Sequence, residues 1–261
     1  MKTRIAVHKF TSCDGCQLAF LNAGNALLTL SDQVDIIHFA EAGAINLTTP
    51  VDIAFVEGSI STPNEAERIK LIRENTKYLI TIGACATAGG IQALRNFSNS
   101  EEWLADIYAS PEYISTLKTS TAISNHVSVD LELWGCPVNT EQVFSAIKSL
   151  LLAAKPRVKR GAVCMECKRR GYVCVLVAKG KPCMGPVTQT GCGALCPGVN
   201  RDCYACYGPN ENPNPRSMGK WFEKLGLTDS EVAKKFFHIN NQAPAFYKAG
   251  EYFKGIRIVA E

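Results

Sequence analysis

The sequence lacks the signals of membrane insertion and of export. It contains no run of about 18 or more apolar residues, which excludes a membrane-spanning helix. It opens Met-Lys-Thr-Arg-Ile-Ala-Val-His and so has no apolar stretch of the kind found in signal peptides. We therefore expect a cytoplasmic protein without a membrane partner, in a reducing compartment where thiols bind metals or carry out redox chemistry.

Other binding signals are also scarce. The chain has four histidines, none within a cysteine spacing, and we interpret them as structural or surface residues: His8, His38, His126 and His238. No Gly-x-Gly-x-x-Gly fingerprint occurs, so a nicotinamide cofactor would bind to another chain. The net charge of +4 is too small to indicate nucleic-acid binding, and no aromatic pattern accompanies the basic residues.

Cysteine, by contrast, is abundant, with twelve in 261 residues. Four lie in the first half, at Cys13, Cys16, Cys85 and Cys136. Eight are crowded together further on, at Cys164, Cys167, Cys174, Cys183, Cys192, Cys196, Cys203 and Cys206. Since four thiolates ligate one [4Fe–4S] cluster, twelve cysteines predict three clusters, which together would pass single electrons along the chain.

Two other uses of the cysteines are open at this point. An even count is typical of disulfide scaffolds, although those are usually short secreted chains. The pairs Cys164-x2-Cys167 and Cys203-x2-Cys206 also have the spacing of a structural zinc ribbon. Zinc does not account for the four cysteines of the first half.

Residues before position 155 alternate between strand-like and helical patterns. Five apolar runs predict strands, at Arg4–Val7, Val34–Phe39, Val51–Val56, Tyr78–Ile82 and Val127–Leu133. Four other segments predict helices, at Cys16–Leu30, Asn64–Asn75, Ala86–Leu94 and Thr140–Ala154. Strands that alternate with helices are typical of an α/β fold with a doubly wound parallel sheet.

The chain changes character after residue 155. It becomes dense in Gly, Pro and Cys and shows little periodicity. Such a segment buries too little apolar surface to fold alone, so we expect metal clusters to hold it together. The sequence therefore predicts two domains, residues 1–155 and 156–261.

The first-half cysteines fall where predicted strands end. Cys13 and Cys16 follow the first strand, Cys85 follows the fourth, and Cys136 follows the fifth. Ligands of an open parallel sheet bind beyond the carboxyl ends of its strands. We therefore expect these four side chains to form one site, although they are distant in sequence.

The cysteine motifs resemble those of a known family. Four are similar, in the same order, to the proximal-cluster motifs of nickel–iron hydrogenase small subunits: Thr-Ser-Cys13-Asp-Gly-Cys16, Val-Glu57-Gly58-Ser-Ile, Gly83-Ala-Cys85-Ala-Thr-Ala-Gly89-Gly90 and Gly135-Cys136-Pro137. The stretch Cys183-Met-Gly185-Pro186-Val-Thr-Gln-Thr-Gly-Cys192 is similar to the family's Cys-x-Gly-Pro segment. The resemblance implies a flavodoxin-like domain over residues 1–155, which binds the proximal cluster. It implies a small, irregular, ferredoxin-like iron–sulfur domain over residues 156–261.

The resemblance also implies how the cysteines divide among three [4Fe–4S] clusters. The first-half cysteines would hold the proximal cluster. The distal cluster would take Cys164, Cys167, Cys174 and Cys183, and the medial cluster Cys192, Cys196, Cys203 and Cys206. The better-known periplasmic members have a histidine where Cys164 stands and no cysteine where Cys196 stands, and their medial cluster is [3Fe–4S]. An exchange of ligands between the medial and distal clusters stays open, as in ferredoxins with two clusters.

The function that the resemblance implies is electron transfer without catalysis. With every cysteine assigned, no Cys-x2-Cys pairs remain for nickel, so the nickel–iron centre would lie in a separate large subunit. Within the family the chain resembles the delta subunit of cytoplasmic, NADP-linked sulfhydrogenases. That likeness implies a flavin- and NAD(P)-binding diaphorase subunit and a further iron–sulfur subunit as partners, and a role in sulfur or polysulfide reduction.

Three alternatives to this function remain open from the sequence. One is a small subunit of a hydrogenase linked to coenzyme F420 or to heterodisulfide reductase. Another is a complex I-like quinone-reductase subunit, whose adjacent cysteine pair this chain lacks. The third is a zinc-stabilised interaction module without a redox role.

Two charged features lie next to the predicted clusters. Glu57 follows the third strand, where it is interpreted either as a proton relay or partner contact, or as a solvated loop carboxylate. From Lys155 to Lys181 there are nine Lys or Arg residues and one acid, Glu166. We interpret this basic segment as a docking surface for an acidic partner or as a stabiliser of the reduced distal cluster, although a charge run is also typical of a solvated face.

Overall fold

The computed structural model describes residues 2–46, 49–158 and 161–255. The chain forms two compact units, Met1–Pro156 and Arg157–Glu261. Lys159 and Arg160, two cations of the predicted basic segment, lie outside the described residues. Of the helices in the described ranges, none combines the length and the apolar character needed to cross a membrane.

The first unit is built on a parallel sheet of five strands in the order β2-β1-β3-β4-β5. The strands are β1 (Thr3–Lys9), β2 (Val34–Phe39), β3 (Val51–Glu57), β4 (Thr76–Ile82) and β5 (Leu131–Leu133). The chain first winds to one edge of this sheet and then to the other, which is the flavodoxin-like order. The predicted α/β fold with a doubly wound parallel sheet is thus confirmed.

Helices of the first unit lie between the strands and after the last one. They are α1 (Gly15–Leu21), α2 (Asn25–Ser31), α3 (Pro63–Glu74), α4 (Gly83–Ala88), α5 (Ser100–Ile107) and α6 (Thr140–Leu151). The start of α3 follows from its sequence, since Thr62 and Glu65 form a capping box and Pro63 occupies the first turn.

A helix and a strand are among the predicted elements of this unit that differ from the observed ones. The helix predicted for Cys16–Leu30 is divided into α1 and α2, because Gly24 adopts a positive φ of 55° between them. The strand predicted for Val127–Leu133 is reduced to the three residues of β5. That strand lies at the edge of the sheet and pairs with β4 alone, so few of its residues are held in a ladder.

Apolar side chains fill both faces of the sheet. On the face covered by α1 and α6, the Phe20 ring packs against Phe55 at a centroid distance of 5.2 Å and against Phe144 at 6.2 Å. On the opposite face, Ile69 and Ile72 of α3 belong to a second buried cluster. Each fully buried Phe or Ile side chain contributes roughly 1.5–3 kcal/mol. This packing holds the strands, and therefore the loops at their carboxyl ends, in fixed positions.

The second unit begins with three short helices and ends with three longer ones. They are α7 (Val163–Arg169), α8 (Val175–Lys179), α9 (Leu195–Gly198), α10 (Pro215–Lys224), α11 (Asp229–Phe236) and α12 (Pro244–Phe253). The last three enclose buried rings, among which Phe236 and Phe253 are stacked at 6.1 Å. A glycine is needed at Gly219, because a Cβ there would lie 2.2 Å from the Phe253 ring.

This helical core was not predicted from the sequence, from which we expected metal clusters alone to hold the second segment together. Its start signals are nevertheless present, since Thr228 and Glu231 form a capping box and Pro215 follows the capping residue Asn214. These helices are also amphipathic, and α10 buries Met218, Gly219 and Phe222 on one face. The signal was therefore present in the sequence and was missed among the many Gly, Pro and Cys residues of this segment. The second unit therefore has an apolar core of its own beside its cysteine-rich part.

Two buried histidines stack inside the first unit. The rings of His8 on β1 and His38 on β2 are 4.6 Å apart at their centroids. Burial lowers the pKa of His8 to about 3, with further contributions from the neighbouring His38 and Arg68. Burial and Arg68 also lower the pKa of His38. Both rings are therefore neutral at pH 7 and belong to the core.

We predict that His8 makes the fold sensitive to acid. Below pH 6.5 the unfolded chain binds a proton at His8 that the folded chain does not bind until about pH 3. Stability is therefore present above pH 6.5 and falls as the pH drops, by about 2 kcal/mol between pH 7 and pH 5. Thermal unfolding followed by circular dichroism should show a smaller acid-induced loss in His8→Gln than in the wild type. The exposed-site variant His238→Gln should behave like the wild type, and an unchanged loss in His8→Gln would contradict the prediction.

Candidate functional site

The four first-half cysteines come together at the carboxyl ends of the strands. Cys13 lies in the loop after β1, Cys16 in the first turn of α1, Cys85 in α4 after β4, and Cys136 after β5. The pKa of the Cys85 thiol is raised to about 12, mainly by burial and to a smaller extent by the nearby Cys136 and Cys13. Burial also raises the pKa of Cys16, which is affected in turn by Cys85 and Cys136. These thiols therefore lie near one another at this edge of the sheet.

Backbone hydrogen bonds join the loops that carry this group. The Val138 N–H, two residues beyond Cys136, donates to the Cys16 Sγ at 3.4 Å. The Ala84 N–H donates to the Gly135 carbonyl at 2.7 Å, which connects the end of β4 to the end of β5. The cysteine loops are thus held by the sheet and by one another.

Two glycines leave space beside the sulfurs. A Cβ at Gly83 would lie 2.4 Å from the Cys16 Sγ, and one at Gly90 would lie 2.6 Å from the Cys85 Sγ. Both residues also have positive φ, 87° and 62°. The left-handed conformation of Gly89, with a φ of 74°, ends the helix predicted for Ala86–Leu94 early, at Ala88, and a 3-10 helix follows Gly90.

Glu57 is the buried acid of this site and ends β3. It is 2% exposed, and its carboxylate accepts hydrogen bonds from the Cys16 N–H at 2.9 Å and the Gln17 N–H at 3.2 Å. Burial raises the pKa of this carboxyl. The interpretation of Glu57 as a solvated loop carboxylate is therefore wrong. It satisfies N–H groups in the first turn of α1 that have no partner within the helix, and so it fixes the position of Cys16.

A second group of thiols lies at the start of the second unit. Cys164 and Cys167 are on α7, Cys174 precedes α8, and Cys183 follows it. The pKa of Cys164 is raised to about 11, mainly by burial and to a smaller extent by the neighbouring Cys183, Cys174 and Cys167. Cys174 is exposed, so this group reaches the protein surface.

The remaining four cysteines follow in the next turns of the chain. Cys203 is buried, and this burial raises the pKa of its thiol. The neighbouring Cys183 and Cys206 also raise this pKa, by smaller amounts. Cys196 lies on α9, and its carbonyl accepts the Arg201 N–H at 2.9 Å, which ties it to the segment that leads into Cys203. Burial raises the pKa of Cys192, and Glu166 raises it further. The carboxylate of Glu166 accepts the Gly191 N–H at 2.9 Å, directly before Cys192.

The position of Gly185 shows why the Cys-x-Gly-Pro segment needs a glycine. A Cβ at this position would lie 3.5 Å from the sulfurs of both Cys164 and Cys183 and 3.9 Å from the Cys203 Cβ. The glycine thus allows close approach of sulfurs from segments that are distant in sequence.

The residues present fit iron–sulfur clusters. Thiols are the ligands of iron–sulfur clusters, and glycines at positions 83, 90 and 185 leave room beside the sulfurs of Cys16, Cys85, Cys164 and Cys183. Within the described ranges, no three His, Cys, Asp or Glu side chains lie close enough together to ligate one metal ion. Both units therefore carry thiols of the kind that ligate iron–sulfur clusters.

Comparison with known proteins supports this assignment. The model of the NADH ubiquinone oxidoreductase 20 kDa subunit family matches residues 13–150. The chain is 34% identical to Sulfhydrogenase 2 subunit delta of Pyrococcus furiosus over 89% of this chain and 97% of that relative. It is 27% identical to a subunit of the F420-non-reducing hydrogenase vhu of Methanococcus voltae over 80% of this chain and 83% of that relative.

A solved structure is similar as well. It is that of an NAD+-reducing NiFe-hydrogenase in the H2-reduced state, with a TM-score of 0.56 and 26% sequence identity. The similarity covers 60% of this chain and 96% of that chain.

We predict that Gly83→Ala empties the first-half site. The new Cβ would collide with the Cys16 sulfur, so the protein should lose roughly four of about twelve irons while the second unit keeps its own. Iron analysis of the anaerobically purified protein measures the loss. Gly43→Ala is the matched control, because Gly43 has a similar φ of 82° but nothing within 4 Å of its Cβ position. An equal loss of iron in the two variants would show that strain at positive φ, and not the collision with the Cys16 sulfur, causes the loss.

Proposed function

The chain belongs to the family of the NADH ubiquinone oxidoreductase 20 kDa subunit and, within it, to the small subunits of nickel–iron hydrogenases, and from this premise we propose that it is an electron relay of three [4Fe–4S] clusters. Such a small subunit pairs with a hydrogenase large subunit. The observation that carries the proposal is that the chain has twelve free cysteines, of which four follow the strand ends of the first unit and eight lie in the second unit.

Each cluster, when bound, would accept and release one electron at a time. The first-half thiols would hold the proximal cluster, the group from Cys164 to Cys183 the distal cluster, and the group from Cys192 to Cys206 the medial cluster. This division is supported by Cys164, whose pKa is raised by burial and then by the neighbouring Cys183, Cys174 and Cys167, and by Cys167, whose pKa is raised by burial and then by Cys174. The chain itself would contribute no catalytic residue, because the nickel–iron centre belongs to the large subunit.

We place the relay between that centre and a flavin- and NAD(P)-binding subunit in the cytoplasm, with a further iron–sulfur subunit in the complex. Similarity to a sulfhydrogenase delta subunit and to an NAD+-reducing hydrogenase supports this subtype and a role in sulfur or polysulfide reduction. A hydrogenase linked to coenzyme F420 or heterodisulfide reductase is the second candidate, supported by the Methanococcus voltae relative. The cysteine-rich second unit disfavours a complex I-like quinone-reductase subunit with one cluster.

The cluster number and the ligand division are tested together by Cys196→Ala. The wild-type protein should contain about twelve irons and twelve sulfides per chain. The variant lacks one proposed medial ligand, so it should contain about eleven irons and show a new three-iron signal in electron paramagnetic resonance of the oxidised state. A variant that keeps all its irons and stays silent would remove Cys196 from the ligand set. Zinc in place of iron in the wild type would overturn the relay itself.

The surface near Cys174 suits a partner that takes electrons from the distal cluster. We call it the docking face, and it comprises the exposed cations Lys168, Arg169 and Lys179 and the exposed apolar residues Val173 and Val177. An apolar centre with a basic rim suits an acidic partner, since the charges steer its approach and the apolar residues are covered on binding.

We predict that Lys168→Glu with Arg169→Glu slows electron transfer to the physiological acceptor by on the order of tenfold at low ionic strength. Hydrogen-driven reduction of small dyes should be retained, and the salt dependence of the physiological reaction should flatten. Arg170 is left unchanged in this variant, because its guanidinium packs against Gly193, 2.9 Å from the Cβ position of that residue, and replacing it could disturb this turn. Lys248→Glu with Lys254→Glu makes the same charge change on exposed residues at α12 and should have little effect. Equal losses in both assays would contradict docking at this face.

A further inference from the structure

The two thiol groups of the second unit meet where Cys183 contacts Cys203. The Cys203 N–H donates to the Cys183 Sγ at 3.3 Å. In the other direction, the Met184 N–H donates to the Cys203 carbonyl at 3.2 Å. The two segments are therefore paired through both backbones, and this pairing holds the sulfurs of two different proposed clusters beside each other.

Thr188 lies at this junction and is 1% exposed. Its hydroxyl donates to the Met184 carbonyl at 2.7 Å and lies 3.8 Å from the Cys203 Sγ. As a thiol, Cys203 donates its proton to this hydroxyl. A sulfur that binds iron has lost that proton and can only accept, so the hydroxyl becomes the donor.

The Thr188 hydroxyl has one proton and can donate it either to the Met184 carbonyl or to the Cys203 sulfur. A hydrogen bond to a charged thiolate is stronger than one to a neutral carbonyl. If the hydroxyl turns to the sulfur, the Met184 carbonyl still accepts the Val187 N–H at 3.1 Å. The turn therefore leaves no buried acceptor without a partner, and it costs little.

A second donor already faces the same sulfur. The Ala205 N–H lies 3.4 Å from the Cys203 Sγ. Reduction adds negative charge to a cluster and its thiolates, and donors to the sulfurs stabilise that charge. Both Ala205 and Thr188 would therefore make the cluster easier to reduce.

We propose that Thr188 is a positioning residue whose hydroxyl hydrogen-bonds the Cys203 sulfur and raises the reduction potential of the cluster that Cys203 ligates. The inference rests on the proposed function, because it requires that cluster. Since Cys203 touches Cys183, the potential set by Thr188 governs how readily one electron passes between the medial and distal clusters.

The test uses the complete hydrogenase complex and two variants. Thr188→Val keeps the shape of the side chain and removes the hydroxyl, whereas Thr188→Ser keeps the hydroxyl. Redox titration followed by electron paramagnetic resonance gives the midpoint potential of each cluster. We expect Thr188→Val to shift one midpoint potential to a more negative value and to leave the others in place. The serine variant should retain the wild-type potentials, and iron contents should be equal throughout.

Two results would overturn the inference. One is an unchanged set of midpoint potentials in Thr188→Val. The other is an equal shift of all clusters, which is the mark of a general structural change. If the valine variant does not assemble, Thr188→Ala removes the hydroxyl without added bulk and must show the same single shift. Wild-type protein without iron would overturn the proposed function as well, whereas intact clusters with unmoved potentials would overturn the role of Thr188 alone.

Discussion

The burial of thiol groups is the constraint on which the rest of this molecule depends. Burial raises the pKa of Cys85 to about 12 and raises those of Cys16 and Cys203 too, so without a metal these thiols stay protonated at neutral pH. A metal ligand must be a thiolate, and iron therefore has to displace protons that burial holds in place. Cluster binding and folding are coupled for this reason, and the protein must bring its sulfurs together before the metal can stabilise them.

The two units satisfy this constraint in different ways. In the first, a parallel sheet with a packed core fixes the ends of its strands, and Glu57 anchors the turn that carries Cys16. In the second, tight turns fix the positions of the cysteines. Ala194 and Ala205 lie in such turns and have positive φ values of 54° and 60°. That conformation costs roughly 1–2 kcal/mol for a residue with a Cβ. The helical core of α10, α11 and α12 and the proposed clusters offset such costs.

The cysteines of the second unit differ in their access to the surface. Cys203 is buried and surrounded by donors, whereas Cys174 is exposed and adjoins the docking face. In the proposed relay, a cluster near the surface would pass its electron to a partner, and a buried cluster would pass its electron to a neighbouring cluster. The contact of Cys203 with Cys183 supplies that neighbour, and Thr188 lies where the potential of the buried cluster can be adjusted.

The sequence by itself determined the parallel α/β sheet, the placement of the first-half cysteines at its strand ends, and the hydrogenase small-subunit resemblance, because alternating apolar runs and cysteine spacings are local patterns. It did not reveal the break at Gly24, the early end of α4 at Gly89 and Gly90, or the aromatic core of the last three helices. Nor did it decide whether Glu57 is buried, or that Cys183 and Thr188 meet Cys203. Those features depend on which distant segments pack against one another, and that choice is made only when the whole chain buries its apolar surface and pairs its polar groups.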